Sequence, residues 1–321
     1  MSQVVPLFPT LAIPTDYRTH DAWLAGRKNG IGASDAAGAF FEGYKQQSPC
    51  SIAMDKMGIA ETGPEECEAL EIGSAMQSGV LELARKRIGL ELVSPGEFTI
   101  YRHPHFPWMC ASLDSACLEH NDGPAPVEAK YIGNLRAAKD WSDDSEPVLK
   151  FDVQCQHQMA VMGWSHAYLV GLIGSKLVVK HIERNDRFID QALIPQLAKL
   201  WKLIEEGRAA IAAGETPRLP EIDGSAATAR ALALLYPDDN GEEIFLTDPA
   251  LVQSATDLAG AKEKIKELEA LETAAKNQLM AAIGNASFAV LADGRKFSHK
   301  QQTRKEYVCK ASTFRVLRSI R

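Results

Sequence analysis

The sequence lacks the features of a membrane-bound or secreted protein. No uninterrupted apolar run approaches the roughly 20 residues that a membrane-spanning helix needs. The N-terminus MSQVVPLFPTLAIPTDY has neither a basic region nor a long apolar core, so we do not expect a secretory signal there. The sequence therefore predicts a protein of the cytoplasm that does not attach to a membrane.

Cysteine is scarce, and no two cysteines form a CxxC pair. We therefore predict reduced, mostly buried thiols; the six are Cys50, Cys67, Cys110, Cys117, Cys155 and Cys309. A zinc site is the weaker alternative, because no pair of candidate ligands has the spacing of a zinc finger. Its ligands would come from His103, His105, Cys110, Cys117, Cys155 and His157.

The charge of the chain is negative overall but unevenly spread. The net charge of −7 argues against a protein that coats nucleic acid generally, although a nuclease with a local basic patch remains compatible with it. Residues 295–321 hold nine Lys/Arg and one acidic residue, whereas residues 1–294 hold 26 basic and 41 acidic residues. Such a tail indicates either a polyanionic partner or a merely solubilising segment, and the sequence leaves both open.

The length and texture of the chain predict two parts. At 321 residues it exceeds a typical domain of about 100–200 residues, and the proline-rich stretch 215–223 (ETPRLPEID) marks a boundary. We predict a main domain over 1–220 and an extension over 221–321. The extension would contain a coiled-coil-like helix over 248–283 and a hairpin over 287–308, turned at Asp293-Gly294.

The stretch 107–130 (PWMCASLDSACLEHNDGPAPVEAK) organises the candidate site. It predicts a strand ending in Asp114, a loop, and a second strand that carries Glu128, Ala129 and Lys130. Residues two apart on a strand point to one face, so Glu128 and Lys130 would project together with the Ala129 carbonyl between them. If the two strands pair, Asp114 comes to lie beside Glu128.

This constellation is suited to metal-assisted hydrolysis of a phosphodiester. The two carboxylates and the carbonyl are hard oxygen ligands of the kind that Mg²⁺ prefers, and the ammonium of Lys130 could hold an attacking water. The alternative is a solvated strand edge, because a D…ExK pattern also arises by chance.

A second candidate site lies in residues 27–34 (RKNGIGAS). Gly30 and Gly32 permit close backbone approach, and Ser34 or Asp35 would cap the next helix, whose amide end attracts anions. With Arg27 these groups would form a phosphate pocket, although glycines before a serine cap are also an ordinary helix start.

Two further helices carry polar candidates. Glu82, in GVLELAR, sits off the apolar stripe of its helix, where it could simply pair with Lys86 at i,i+4. A helix over 148–162 would turn Phe151, Cys155, Met159 and Met162 to the core and leave Gln154 and the segment 156–158 more accessible. A strand hairpin over 166–173 and 176–182 would follow.

Taken in order, these motifs resemble the phage lambda exonuclease group, the YqaJ-like viral recombinases of the PD-(D/E)xK nuclease superfamily. The resemblance covers roughly residues 21–214. It implies an α/β fold with a restriction-endonuclease-like core, a central mixed sheet flanked by helices, to which the helical arm and the β-hairpin are appended.

The resemblance also implies a role for each candidate residue. Asp114, Glu128 and the Ala129 carbonyl would bind Mg²⁺, and Lys130 would orient or deprotonate the attacking water. Glu82 would contact a second metal ion directly or through water. The residues that would hold a terminal 5′-phosphate are Arg27, Ser34, Ser112 and Gln154. One departure is His103, which stands where the best-known member has an acidic residue, and another is Ser115 in place of the usual glycine.

The implied activity is digestion of one strand of linear double-stranded DNA, 5′ to 3′, from a phosphorylated end. The cofactor would be Mg²⁺, with Mn²⁺ as a substitute. The implied partners are duplex DNA ends, two further copies in a ring-shaped homotrimer, and a single-strand annealing protein in a bacterial host or its prophage. An endonuclease or resolvase of the same superfamily, or a non-catalytic DNA-binding scaffold, are the alternatives.

Overall fold

The computed structural model describes residues 10–40, 47–60, 68–89, 91–118, 123–133, 141, 147–303 and 314–318. The helices are α1 (His20–Lys28), α2 (Ala33–Phe40), α3 (Pro49–Met57), α4 (Glu68–Ile88), α5 (Leu149–Met162), α6 (Asp186–Phe188), α7 (Ile194–Ala212), α8 (Ala226–Leu235) and α9 (Pro249–Ile283). The strands are β1 (Ile13–Asp16), β2 (Ile31–Gly32), β3 (Leu92–Val93), β4 (Thr99–Arg102), β5 (Met109–Ala111), β6 (Ser115–Cys117), β7 (Ala125–Ile132), β8 (His166–Ile173), β9 (Lys176–Glu183), β10 (Phe288–Val290) and β11 (Lys296–Ser298).

Mixed sheets flanked by helices confirm the predicted fold class. A five-stranded sheet has the order β3-β6-β7-β8-β9, in which β7 and β8 run parallel and the other neighbours antiparallel. The predicted hairpin of β8 and β9 is present, and each strand is eight residues long. A second sheet has the order β1-β4-β5-β2.

The strand before Asp114 differs from the prediction. Instead of one strand that ends at Asp114, the chain leaves β5 in the four-stranded sheet and enters β6 in the five-stranded one. Asp114 therefore lies where the chain passes from one sheet to the other. The pairing of Ser115 with Val127 then sets Asp114 beside Glu128, as the sequence predicts.

Helix α5 corrects the prediction that residues 156–158 are accessible. Gln156, His157 and Gln158 are all buried. The reason is that α5 has apolar neighbours on two sides: Cys155 and Met159 pack with residues of β8 and β9, while Ala160 and Val161 pack with residues of the four-stranded sheet and α7. A helix that is covered on both sides buries its polar residues too, and these then need internal partners.

His157 makes the stability of the fold depend on pH. Its Nε2 lies 3.1 Å from the Cys110 carbonyl oxygen, and burial lowers the pKa of His157 to about 4. In the unfolded chain the pKa of histidine is about 6.5, so the unfolded state gains a proton first as the pH falls. We expect the free energy of unfolding to fall by roughly 3 kcal/mol between about pH 6.5 and pH 4 from this group.

The variant His157→Gln tests that expectation, because glutamine can donate to the same carbonyl but does not titrate. Urea unfolding at several pH values should show a shallower loss of stability on acidification than in the wild type. The exposed His299 supplies the control variant His299→Gln, which should keep the wild-type slope. An unchanged slope in His157→Gln would contradict the assignment.

The chain divides into two compact units, Met1–Pro237 and Asp238–Arg321. The first unit extends past the predicted boundary at residue 220, because α8 packs on α3. Ser48 and Thr228 share a hydrogen bond of 2.7 Å between their hydroxyls, and Ala231 packs with Cys50 and Met54.

The second unit contains the predicted long helix and hairpin. Helix α9 is 35 residues long and has no buried residue, and Gly294 adopts a positive φ of 85° in the turn between β10 and β11. Residues 304–313 and 319–321 of the basic tail lie outside the described part of the chain. In that described part, the helices are all too short or too polar to cross a membrane.

Candidate active site

Seven of the predicted side chains line one cavity of about 540 Å³. They are Arg27, Ser34, Ser112, Asp114, Glu128, Lys130 and Gln154. The residues come from β7, from the link between β5 and β6, and from helices α1, α2 and α5, so only the tertiary fold brings them together. The predicted acidic cluster and the predicted phosphate pocket are therefore parts of a single cavity.

The acidic part is built on the pairing of β6 with β7. Asp114 Oδ2 accepts a hydrogen bond of 2.9 Å from the backbone N–H of Ala129. Glu128 and Lys130 project to the same face, and Lys130 Nζ donates to Glu128 Oε1. Two carboxylates and one ammonium thus converge on one point, as the spacing of the residues predicts.

Two glutamines of α5 fix the carboxylate of Glu128, which is only 2% exposed. Gln154 Nε2 donates to Oε1 and Gln158 Nε2 to Oε2, each over 2.6 Å. Because each oxygen is held by a donor from α5, the carboxylate has a fixed orientation. Gln158 was not among the predicted site residues, since the sequence places it on an accessible face.

The electrostatics of the cluster reflect two buried acids beside one base. Burial and the neighbouring charge of Glu128 raise the pKa of Asp114 well above the usual range of a carboxyl, against the opposing effects of Lys130, the Ala129 N–H and Gln77. Burial alone would lower the pKa of Lys130, but the charges of Glu128 and Asp114 raise it. The cluster is therefore a place where additional positive charge is favourable.

This donor set fits Mg²⁺ better than zinc. Among the described residues, no group of three or more His, Cys, Asp and Glu side chains could hold a metal ion. Mg²⁺ is usually bound through one or two carboxylates together with substrate phosphate and water, and the pair Asp114 and Glu128 suits that pattern. Cys50, Cys110, Cys117 and Cys155 are buried and are not joined in disulfides, and Cys67 and Cys309 lie outside the described residues.

Glu82 is not among the residues that line the cavity. Its carboxylate pairs with Arg85 Nε at 3.0 Å and with Lys86 Nζ at 3.1 Å, and its side chain is 49% exposed. The structure thus places it in the ordinary helix-surface pairing that the sequence allows as the alternative. Ser78 lines the cavity one turn earlier on α4, so contact with a metal ion would require another rotamer of Glu82. That contact stays a prediction.

The phosphate part of the cavity is built around Arg27. Its Nη2 donates to Ser34 Oγ over 2.9 Å, and its guanidinium lies 4.8 Å from the centre of the Trp23 ring. The indole Nε1 of Trp23 in turn donates to Ser112 Oγ over 3.2 Å, and Ser112 Oγ donates to the Thr99 carbonyl. Trp23 thus links two predicted phosphate ligands, a role that the sequence did not reveal.

Two glycines shape this region in different ways. A Cβ at Gly30 would lie 2.7 Å from the Trp108 carbonyl oxygen, which confirms the predicted close backbone approach. A Cβ at Gly32 would lie 3.4 Å from Asp35 Oδ2, 3.6 Å from Arg27 Nη2 and 3.9 Å from Ser34 Oγ. A methyl group there would fit without a clash, but it would occupy space beside the guanidinium and the hydroxyl.

The variant Gly32→Ala is therefore expected to fold and to bind a phosphate poorly. We expect its rate on 5′-phosphorylated ends to fall by about 10- to 100-fold, the scale that a small misplacement at a site can cost. The melting temperature of Gly32→Ala should differ little from that of the wild type. The ratio of its digestion rates on 5′-phosphorylated and 5′-hydroxyl duplexes should be smaller than the wild-type ratio. If Gly32→Ala prefers phosphorylated ends as strongly as the wild type does, the phosphate does not bind beside Gly32.

His103, which stands where the resemblance leads us to expect an acidic residue, serves a local turn. Its Nδ1 accepts hydrogen bonds of 3.1 Å from the backbone N–H groups of both His105 and Phe106. Burial lowers the pKa of His103, as does the proximity of His105 and Arg184. The side chain is not among those that line the cavity.

Comparison with solved structures supports the fold. An alkaline exonuclease from Laribacter hongkongensis superimposes with a TM-score of 0.50 at 17% identity, covering 60% of this chain and 97% of that chain. A second structure of that exonuclease, in complex with dAMP, matches with the same score and coverage. At this identity the likeness establishes the fold.

Comparison of sequences points in the same direction. The uncharacterized protein YqaJ of Bacillus subtilis (strain 168) is 28% identical over 277 residues, which is 85% of this chain and 81% of that protein. The family model of the YqaJ-like viral recombinase domain matches residues 22–165, a stretch that contains every residue lining the cavity. The resemblance predicted from the motifs is thereby confirmed: residues 22–165 match the YqaJ-like viral recombinase domain.

Proposed function

We propose that this protein is a metal-dependent deoxyribonuclease that degrades one strand of linear double-stranded DNA, 5′ to 3′, from a 5′-phosphorylated end. The product would be a duplex with a 3′ single-stranded overhang. One observation carries the proposal: the Asp114, Glu128 and Lys130 cluster and the Arg27 and Ser34 pair line the same cavity. A hydrolytic cluster beside an anion pocket is suited to cutting at a fixed distance from a terminal phosphate.

The residues of the chain divide the work. Arg27 and Ser34 would bind the terminal phosphate with a guanidinium and a hydroxyl, and Ser112 would add a second hydroxyl by turning its proton from the Thr99 carbonyl to the phosphate. Lys130 would hold the attacking water through its ammonium, which lies against Glu128, and it could take the proton of that water only after losing its own. Gln154 donates to Glu128 here and would turn its amide to the phosphate or keep the carboxylate aligned.

Mg²⁺ held by Asp114, Glu128 and the Ala129 carbonyl would neutralise charge that develops on the scissile phosphate and the departing oxygen. The two carboxylates fit this role because positive charge beside them offsets their mutual repulsion. We further propose that a second ion is bound with the help of Glu82, and that Mn²⁺ replaces Mg²⁺.

The comparisons support a nuclease activity, but they do not bear on the direction of digestion or on the metal requirement. The solved neighbour is an alkaline exonuclease that has been crystallised with dAMP, a nucleotide with a 5′-phosphate. The fold it shares with this chain supports the assignment of the cavity to nucleotide chemistry. Assembly as a ring-shaped homotrimer and cooperation with a single-strand annealing protein are part of the same proposal.

Digestion of two DNA substrates tests the proposal. A linear duplex with a 5′-phosphorylated end and a closed circular duplex of the same sequence are incubated with Mg²⁺ and then with EDTA. We expect the linear duplex to be degraded only with Mg²⁺, and the circle to remain intact. Cleavage of the circle would show that the protein is an endonuclease and not an exonuclease. No cleavage of either substrate would favour a non-catalytic scaffold.

A further inference from the structure

The carboxyl end of α1 is held by basic side chains from three other elements. Arg102 of β4 donates to the carbonyls of Gly26 and Asn29, each over 3.0 Å. Lys56 of α3 donates to the Arg27 carbonyl over 3.2 Å, and Arg208 of α7 to the Lys28 carbonyl over 2.7 Å. Four successive carbonyls at the negative end of a helix thus each accept a hydrogen bond from a cation.

Lys56 connects this helix end to the start of α2 through Asp35. Lys56 Nζ lies 3.0 Å from Asp35 Oδ2, and both side chains are buried. The same Oδ2 accepts a hydrogen bond of 3.1 Å from the Gly32 N–H, and Oδ1 accepts one of 2.9 Å from Gln47 Nε2. One buried ion pair therefore contacts the backbone of Arg27 on one side and the backbone of Gly32 on the other.

The charge state of Asp35 is consistent with a permanent pair. Burial alone would raise the pKa of Asp35, but the charges of Lys56 and Arg27 outweigh it and hold the pKa at about 2. A buried ion pair is often no more stable than well-packed apolar residues of the same volume, so stability by itself does not account for this pair. Its position between two parts of the anion pocket suggests another use.

We propose that Lys56 and Asp35 are positioning residues for the 5′-phosphate. Lys56 fixes the backbone from which the Arg27 side chain extends, and Asp35 fixes the Gly32 backbone that borders the same space. The guanidinium of Arg27, the hydroxyl of Ser34 and the start of α2 then face one point before DNA arrives. This inference rests on the proposed function, and it assigns end specificity to a pair that is not itself predicted to touch DNA.

The variant Lys56→Met tests the inference, because it removes the ammonium and keeps an unbranched side chain. Digestion rates are measured on duplexes that differ only in a 5′-phosphate or a 5′-hydroxyl. We expect the ratio of the two rates to fall by about 10- to 100-fold, with the larger loss on the phosphorylated end. A ratio unchanged from the wild type, with both rates lowered alike, would reduce Lys56 to a structural role and overturn the inference.

Arg184→Met is the matched control. Arg184 also donates to a carbonyl at a helix end, from Nη1 to Met159 over 2.6 Å, but this is the end of α5, which carries neither Arg27 nor Gly32. Its removal should lower the melting temperature and leave the ratio between phosphorylated and hydroxyl ends at the wild-type value. A fall of the ratio in Arg184→Met as large as in Lys56→Met would likewise overturn the inference.

A second variant and a binding measurement cover the case in which Lys56→Met does not fold. Asp35→Asn keeps the shape of the side chain and an acceptor for Gly32, and it is expected to lower the same ratio. The affinity for a 5′-phosphorylated hairpin duplex is also compared with the affinity for its 5′-hydroxyl counterpart. Because EDTA is present, this comparison measures phosphate binding without hydrolysis. Equal preference for the phosphate in Asp35→Asn and wild type contradicts the inference, whereas a wild type that digests neither duplex contradicts the proposed function instead.

Discussion

Replacing Glu128 by glutamine is expected to lower the rate of Mg²⁺-dependent DNA hydrolysis by about 10³-fold or more, the upper range for loss of one principal electrostatic group. The carboxylate accepts hydrogen bonds from Lys130, Gln154 and Gln158, and both of its oxygens are occupied. An amide has one acceptor oxygen, so its NH₂ group would face a donor, and its neutral charge would remove the carboxylate that pairs directly with Lys130.

Single-turnover digestion of a phosphorylated duplex over a range of Mg²⁺ concentrations measures this effect. Besides the lower rate, Glu128→Gln should require more Mg²⁺ for half-maximal activity. Glu91→Gln is the matched control, because Glu91 is a 73% exposed carboxylate that pairs with Arg85. Glu91→Gln should behave like the wild type, and comparable activity in Glu128→Gln would remove Glu128 from the site.

Replacing Lys130 by methionine is expected to lower the rate by about 10²- to 10⁴-fold, the usual contribution of a positioned acid or base. Methionine retains the length and apolar stem of lysine but cannot hold a water or transfer a proton. Because Asp114 and Glu128 remain, the Mg²⁺ concentration for half-maximal activity should stay within a few-fold of the wild type, and this separates Lys130→Met from Glu128→Gln.

Lys202→Met serves as the control for Lys130→Met. Lys202 lies on α7 with 78% of its side chain exposed, and its ammonium is 3.8 Å from Glu206. We expect wild-type rates in this variant. Substantial hydrolysis by Lys130→Met would rule out the role assigned to the ammonium, whatever the metal requirement proves to be.

The local part of the site could be predicted from the sequence because it depends on short-range geometry. Glu128 and Lys130 share a face through the two-residue period of a strand, and a loop between two strands brings Asp114 to their side. Arg27 and Ser34 are close for the same reason, since a helix end and the next helix start are separated by a short strand. From the sequence, only the resemblance to a family indicated that the acidic cluster and the phosphate pocket belong to one site.

The parts that the sequence did not reveal depend on tertiary packing. Gln156, His157 and Gln158 are polar and therefore expected to be accessible, and they are buried because α5 is covered on two sides. Gln77 hydrogen-bonds to Asp114 from α4, yet glutamine on a helix surface carries no specific signal. The pair of Lys56 and Asp35 could not be predicted from the sequence either, because the two residues belong to different helices and meet only in the fold.

The position of Glu82 illustrates a limit of motif reasoning. The motif places Glu82 with the acidic site, whereas an arginine and a lysine within one turn offer nearer partners. Exposed pairs of this kind stabilise a helix only slightly, so bound DNA and metal could draw the carboxylate away from them at little cost.

The most direct test of the central claim is the direction of digestion on an asymmetric duplex. One end carries a 5′-phosphate and the other a 5′-hydroxyl. The two strands carry different fluorophores, each attached at internal positions near the ends of its strand. The account predicts that the phosphorylated strand shortens from its 5′ end in steps and that its complement survives as a single strand. Shortening from a 3′ end, or internal fragments from either strand, would contradict it.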